Sequence, residues 1–179
     1  IFSAGIKSKF IKGPMKNFLV ILLLITGSTN LFSQTPYTST PDEKHPEVTV
    51  LNGIISKYIL QNSPAFNWYG SNQNIYEPPA LAVNAMEAAK DSFQFVLFGG
   101  TWCEDTQFVL PRFFKLQEKS GFPDKSISFF AVNRAKQTLG NVANAFKIVN
   151  VPTIIVMKNG KEVGRVVEYG KTGKWDIEL

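Results

Sequence analysis

The 179 residues suffice for one domain with a packed core and are too few for two comfortable ones. A hydrophobic share of 44% with 15 phenylalanines excludes a disordered chain. The net charge of +5 points toward a polyanion binder, but Lys7, Lys9, Lys12 and Lys16 all sit in residues 1–33, which hold no acid. The remaining body has 15 basic and 14 acidic groups and no electrostatic footprint for nucleic acid.

Residues 1–14 precede the first Met-Lys start and are read as an upstream extension or an artefact, outside the fold. Residues 15–33 have the three-part layout of a signal peptide. Met15-Lys16-Asn17 is a short basic start, Phe18 to Ile25 an unbroken apolar run, and small and polar residues follow. The run is well short of the ~18–20 residues that a membrane-spanning helix needs. Cleavage is expected between Ser28 and Gln34, with export to a periplasmic or extracellular space; an uncleaved membrane anchor is the alternative. Such a space is oxidising. Cys103, the only cysteine, must there be buried, reactive or paired with another molecule.

Residues 34–46 are polar and Pro-rich and read as a disordered lead. His45, the only histidine, falls in it as an exposed linker residue. Val48, Leu51, Ile55 and Tyr58 have near-helical spacing and predict a helix over Val48–Leu60. Asn62 to Pro79 is a loop whose Phe66, Trp68, Tyr69 and Tyr76 anchor it over a core edge or line a binding face. Pro79 to Lys90 is Ala-rich and helical, with Pro in its first turn. Residues 47–91 thus form an N-terminal helical extension.

Residues 92–179 form the main domain. Phe93–Phe98 and Ile127–Val132 are short apolar runs, read as buried strands. Glu104–Lys119 is a helix interrupted at Pro111, and Leu139–Lys147 a further helix. Thr153–Met157 and Glu162–Tyr169 are strands joined by a hairpin turn at Asn159-Gly160. The closing WDIEL is read as the first turn of a truncated helix. This alternation predicts an α/β fold, a mixed sheet with helices on both faces. The sequence offers no glycine-rich phosphate loop and no ligand cluster, so no cofactor and no metal are expected. Lys171 to Lys174 reads as a solvated turn.

Several residues then fall at the spacing of one family. Trp102-Cys103 follows an apolar strand and opens a helix, Pro111 lies eight residues beyond the cysteine, and Val151-Pro152-Thr153 precedes a β-branched strand. With the stretch Phe146 to Arg165, these residues resemble the thioredoxin family from about Phe93 to Glu168. The resemblance implies a thioredoxin-like mixed sheet, a nucleophilic Cys103, and a cis Pro152 facing the thiol. Val151 would then offer backbone groups to an extended substrate, and Trp102 would be either a lid over the thiol or plain packing. Without the resemblance, Pro152 reads as a trans proline opening a strand. Arg134 and Lys136 are further candidates for a place near the site.

The departures bear on function. The family's second cysteine is replaced by Thr106, its buried Asp by Leu97, and a neighbouring Lys by Ala131. A helix start favours a thiolate at Cys103, while Glu104 and Asp105 repel one. The Thr106 hydroxyl is expected to donate to the sulfur. The resulting expectation is an exported, monothiol thiol–disulfide exchange protein, an oxidoreductase lacking a resolving cysteine, acting on protein or small-molecule disulfides and thiols. The alternative is a non-redox binding module that holds a protein partner in the groove around Trp102, Val151 and the aromatic loop.

Overall fold

The computed structural model describes residues 35–179. The segments read as an upstream extension (1–14) and as a signal peptide (15–33) lie outside the described residues.

Six strands form one sheet: β1 (Tyr37–Pro41), β2 (Thr49–Ile55), β3 (Gln94–Gly99), β4 (Ile127–Ala131), β5 (Thr153–Lys158) and β6 (Lys161–Val167). Their order is β1-β2-β4-β3-β5-β6. β3 and β4 run parallel, and every other pair is antiparallel. The helices among the described residues are α1 (Lys57–Asn62), α2 (Trp68–Asn74), α3 (Ala80–Ala89), α4 (Glu104–Ser120), α5 (Val142–Ala145) and α6 (Trp175–Glu178).

The central strand β3 sorts its side chains between two cores, as a period of two requires. Phe95 and Leu97 join a large core with Val109, Leu110, Phe113 and Phe114 of α4. Phe98 joins a smaller core with Ala143 of α5, Ile148, Val151 and Ile155 on the other face. The fold is therefore a mixed sheet with helices on both faces. The β5–β6 turn has Asn159 and Gly160 at φ of 51° and 72°, both in the left-handed region that a two-residue hairpin turn needs.

The N-terminal segment differs from expectation. Residues 37–41 of the predicted disordered lead form β1, an edge strand paired with β2 from Tyr37↔Gly53 to Pro41↔Thr49. Its side chains are largely exposed, so its composition is that of a linker, and backbone pairing orders it. The predicted Val48–Leu60 helix is a strand followed by the short α1. Leu51, Gly53 and Ile55 point inward at a spacing of two, and β-branched residues suit the strand. Gly53 has a φ of 129°, and a Cβ there would run into Pro36 O and stand 2.6 Å from Tyr37 Cα.

The predicted Asn62–Pro79 loop contains a 3-10 turn (Pro64–Phe66) and α2. Phe66 and Tyr69 are buried in the large core, with Trp68 and Tyr76 packed against it. α4 runs through Pro111 without interruption, because Leu110, Phe113 and Phe114 beside it are buried and hold the helix in place. The Leu139–Lys147 helix shrinks to α5, between Gly140 and Lys147 at positive φ.

Candidate active site

β3 delivers the chain to Gly99-Gly100, where close approach excludes a side chain. A Cβ at Gly99 would stand 2.7 Å from Leu110 Cδ1 of α4, and one at Gly100 2.6 Å from the Trp102 ring. Thr101 follows, 2% exposed; its hydroxyl donates to Thr49 O at 2.8 Å and accepts the Leu51 N–H at 3.1 Å. Gln107 Nε2 donates to Thr101 O at 2.9 Å.

Cys103 is the N-cap of α4, in extended conformation, and its carbonyl accepts the Gln107 N–H at 3.0 Å. Its half-buried thiol donates to Val151 O at 3.3 Å, and the Val151–Pro152 bond is cis. Two segments 48 residues apart thus meet at the sulfur. Glu104 and Asp105 occupy the first turn, where carboxylates suit the positive end of the helix. Glu104 is exposed. Asp105 accepts the Tyr169 O–H at 2.9 Å, and partial burial together with this bond pushes the Tyr169 phenol up.

Thr106 turns inward. It is 1% exposed, and its oxygen accepts the Gly100 N–H at 3.2 Å. The expected bond from Thr106 to the sulfur is not among those formed, because the helix direction sends this side chain into the core beneath Gly99 and Gly100. Leu97 and Ala131 are fully buried in the large core.

Trp102 is held from several sides. Its Nε1–H donates to Val132 O at 2.9 Å. The Arg134 guanidinium lies 4.8 Å and the Lys136 ammonium 5.6 Å from its ring centre, within reach of a cation–π attraction. Arg134 also forks onto Asp42, with Nε at 2.7 Å and Nη2 at 3.0 Å from the two carboxylate oxygens. The Arg134 hydrogen bond leads the causes that hold the Asp42 carboxyl down to about 2, against the opposing effect of desolvation.

A groove of about 590 Å³ runs past the thiol, with His45, Glu47 and Val48 facing Trp102, Cys103 and Arg134 across it. The structure thus gathers Trp102, Cys103, Glu104, Asp105 and Val151 at one place, with Pro152 next to Val151 and Thr106 beneath. Sequence reasoning missed Asp42, Thr101, Gln107, Tyr169 and the loop carrying His45. Of these, only Asp42 carried a signal, as the Asp of a Pro-Asp turn.

The thioredoxin family model matches residues 83–175 of this chain. Thioredoxin-1 of Saccharomyces cerevisiae is 33% identical over 79 residues, 44% of this chain and 71% of the yeast protein. Thioredoxin H3 of Arabidopsis thaliana is 33% identical over 88 residues, covering 48% of this chain and 70% of that one. A thioredoxin-like protein of Acanthamoeba polyphaga mimivirus is 33% identical over 76 residues; the match takes in 42% of this chain and 53%, about half, of the viral protein. With the fold, the helix-capping cysteine and these matches together, the chain belongs to the thioredoxin family.

Proposed function

We propose that the protein carries out thiol–disulfide exchange through Cys103 alone. The observation that carries the reading is the sulfur at the N-terminus of α4, in contact with the Val151 carbonyl and open to the groove. Membership of a thiol–disulfide redox family supports it.

In the first step the Cys103 thiolate attacks one sulfur of a substrate disulfide. The substrate S–S bond breaks as the mixed disulfide forms, and the second substrate sulfur leaves as a thiolate that takes a proton from water. A further thiolate must then attack the Cys103 sulfur's partner, which returns Cys103 as a thiolate. Thr106 cannot supply that attack, because its hydroxyl is un-ionised and turned into the core. The resolving thiol belongs to the substrate itself or to a small thiol in the same compartment. Each cycle moves a disulfide and leaves the total number of disulfides unchanged, which suits exchange or isomerisation. The substrates are protein or small-molecule disulfides and thiols, and residues 15–33 take the protein to the periplasm or outside the cell. Membrane attachment follows only if that segment stays uncleaved.

The test is mixed-disulfide formation with a model disulfide, followed by mass spectrometry, with Cys103→Ser as the blank. A stable one-to-one adduct on Cys103, released by added thiol, is the expected result. No adduct, together with Cys103 alkylation no faster than that of an unstructured cysteine peptide, would refute it. A binding module without redox chemistry is the second reading, favoured by the fully apolar Leu97 and Ala131 behind the site. It predicts that Cys103→Ser binds its partner as well as the parent protein does.

A further inference from the structure

We propose that the β1–β2 hairpin, keyed by Asp42, forms the second wall of the Cys103 groove and seats an extended polypeptide there. The proposal rests on Cys103 being the exchange thiol. The hairpin lies outside residues 83–175, the part matched to the family.

Asp42 closes the tip of the hairpin. Its side chain is 1% exposed and meets four donors. Oδ1 accepts the backbone N–H groups of Lys44 and His45, both at 2.9 Å, and both oxygens accept from Arg134. The Asp42 N–H donates to Val48 O at 2.8 Å, and the Val48 N–H to His45 O at 2.8 Å. One carboxylate therefore shapes residues 42–48 and fixes the guanidinium that lies against Trp102. A bidentate fork of this kind needs arginine, since a lysine ammonium has no matching geometry.

Three further bonds tie the hairpin to the site. Thr101, beside Trp102, bonds β2 at Thr49 and Leu51. Asn52 Nδ2 donates to Gln137 O at 2.9 Å, in the loop that carries Arg134 and Lys136. The hairpin tip and the segment over residues 102–107 thus line the groove together, with the Val151 carbonyl against the sulfur. A trough between two backbone segments fits an extended chain, and a small disulfide reaching only the sulfur would not touch the far wall.

The experiment compares two probes on the full chain. One is a ten-residue peptide whose single cysteine is a mixed disulfide with thionitrobenzoate. The other is the small uncharged bis(2-hydroxyethyl) disulfide. The readout is the ratio of their second-order rates with Cys103. A change in thiol ionisation moves both rates together and cancels in the ratio, whereas loss of the wall lowers the peptide rate alone. Asp42→Asn lowers the ratio about tenfold, the scale of one lost charge-assisted hydrogen bond. Arg134→Lys, which keeps the charge and loses only the fork, lowers it in the same direction. The double variant falls no further than Asp42→Asn alone.

A ratio unchanged within twofold in both single variants, or independent losses that multiply in the double variant, would overturn the proposal. If the parent protein exchanges with neither probe, the exchange reading itself fails. The wall is then read from binding of the reduced peptide to Cys103→Ser with and without Asp42→Asn. An affinity about tenfold weaker with the second change supports the wall, and equal affinities overturn it.

Discussion

Thr101→Val removes two hydrogen bonds while leaving the side-chain shape nearly unchanged. β4 covers β2 only from Gly53 to Ile55, so the Leu51 N–H and the Thr49 carbonyl lie beyond the end of that ladder. The Thr101 hydroxyl, 3.1 Å from the Leu51 nitrogen and 2.8 Å from the Thr49 oxygen, takes the place of a strand. Each such bond contributes about 1 kcal/mol net, and a buried group left without a partner costs about 1–3 kcal/mol. The bond to the Leu51 N–H is buried, Leu51 being 2% exposed, whereas that to the carbonyl of half-buried Thr49 is only partly so and its loss costs less. The expected loss is therefore about 2–3 kcal/mol, or roughly 5–10 °C in Tm for a domain of this size. Urea unfolding followed by circular dichroism at neutral pH measures it. Thr101→Ser, which keeps the hydroxyl, is the control and loses less than half as much. A valine variant within about 0.5 kcal/mol of the parent protein, or a serine variant equally damaged, would refute the role given to this hydroxyl.

Gly53→Ala forces a Cβ against Pro36 and Tyr37 at a φ that side chains rarely adopt; it costs about 3 kcal/mol or more, read by the same unfolding assay. Acid weakens the fold with a definite sign. Asp42 is held down to about 2 chiefly by Arg134, Asp124 is lowered chiefly by the Tyr58 hydroxyl and then by Lys57, and Glu178 is lowered chiefly by the Thr172 hydroxyl. These carboxyls release protons more readily folded than unfolded, so their stabilisation is complete above about pH 5 and is lost as pH falls toward about 2. Tm recorded across that range should fall steadily, and a constant Tm down to the acid limit would contradict it. Thr106→Cys should let a Cys103–peptide adduct release itself without added thiol, but only above about pH 8.5, the ordinary thiol range. Mass spectrometry of the adduct against pH decides it, and release that is complete at neutral pH would count against the reasoning.

The strands β3, β4 and β5 were legible as short apolar runs, β6 as the partner across the Asn159-Gly160 hairpin turn, and the start of α4 from the Trp102-Cys103 motif after a strand. β2 was not. Val48, Leu51, Ile55 and Tyr58 fit a helical stripe as well as Leu51, Gly53 and Ile55 fit an alternating strand, and periodicity alone cannot separate them over so short a run. β1 carried no inward pattern at all, since its side chains face water and its order comes from pairing with β2. The polar α2 hid for a related reason: its one buried residue, Tyr69, is too few for a period. At the site, Trp102, Cys103 and Val151-Pro152 stood out as motif residues. Asp42 and Arg134 lie 92 residues apart, and only the folded chain brings them together.

The changes at Leu97, Ala131 and Thr106 are consistent with one another physically. Position 106 is 1% exposed and faces the core, so a thiol there would be buried and reluctant to ionise. A buried acid near such a thiol has a use, because it can take the proton. Once the residue at 106 is a threonine, that proton no longer has to move. A carboxylate at 97, fully enclosed between Phe129 on β4 and Ile154 on β5, would then be an unpaired buried charge that costs several kcal/mol or must stay protonated. A lysine at 131 without that acid would be no better placed. Leucine and alanine remove both costs and add apolar packing to the large core. The same reasoning limits Thr106→Cys: the new thiol enters a core with no buried base beside it, so its attack on the mixed disulfide waits for alkaline pH. On the proposed exchange reading, resolution at neutral pH falls to a thiol that reaches Cys103 from the groove, which the half-buried sulfur lines.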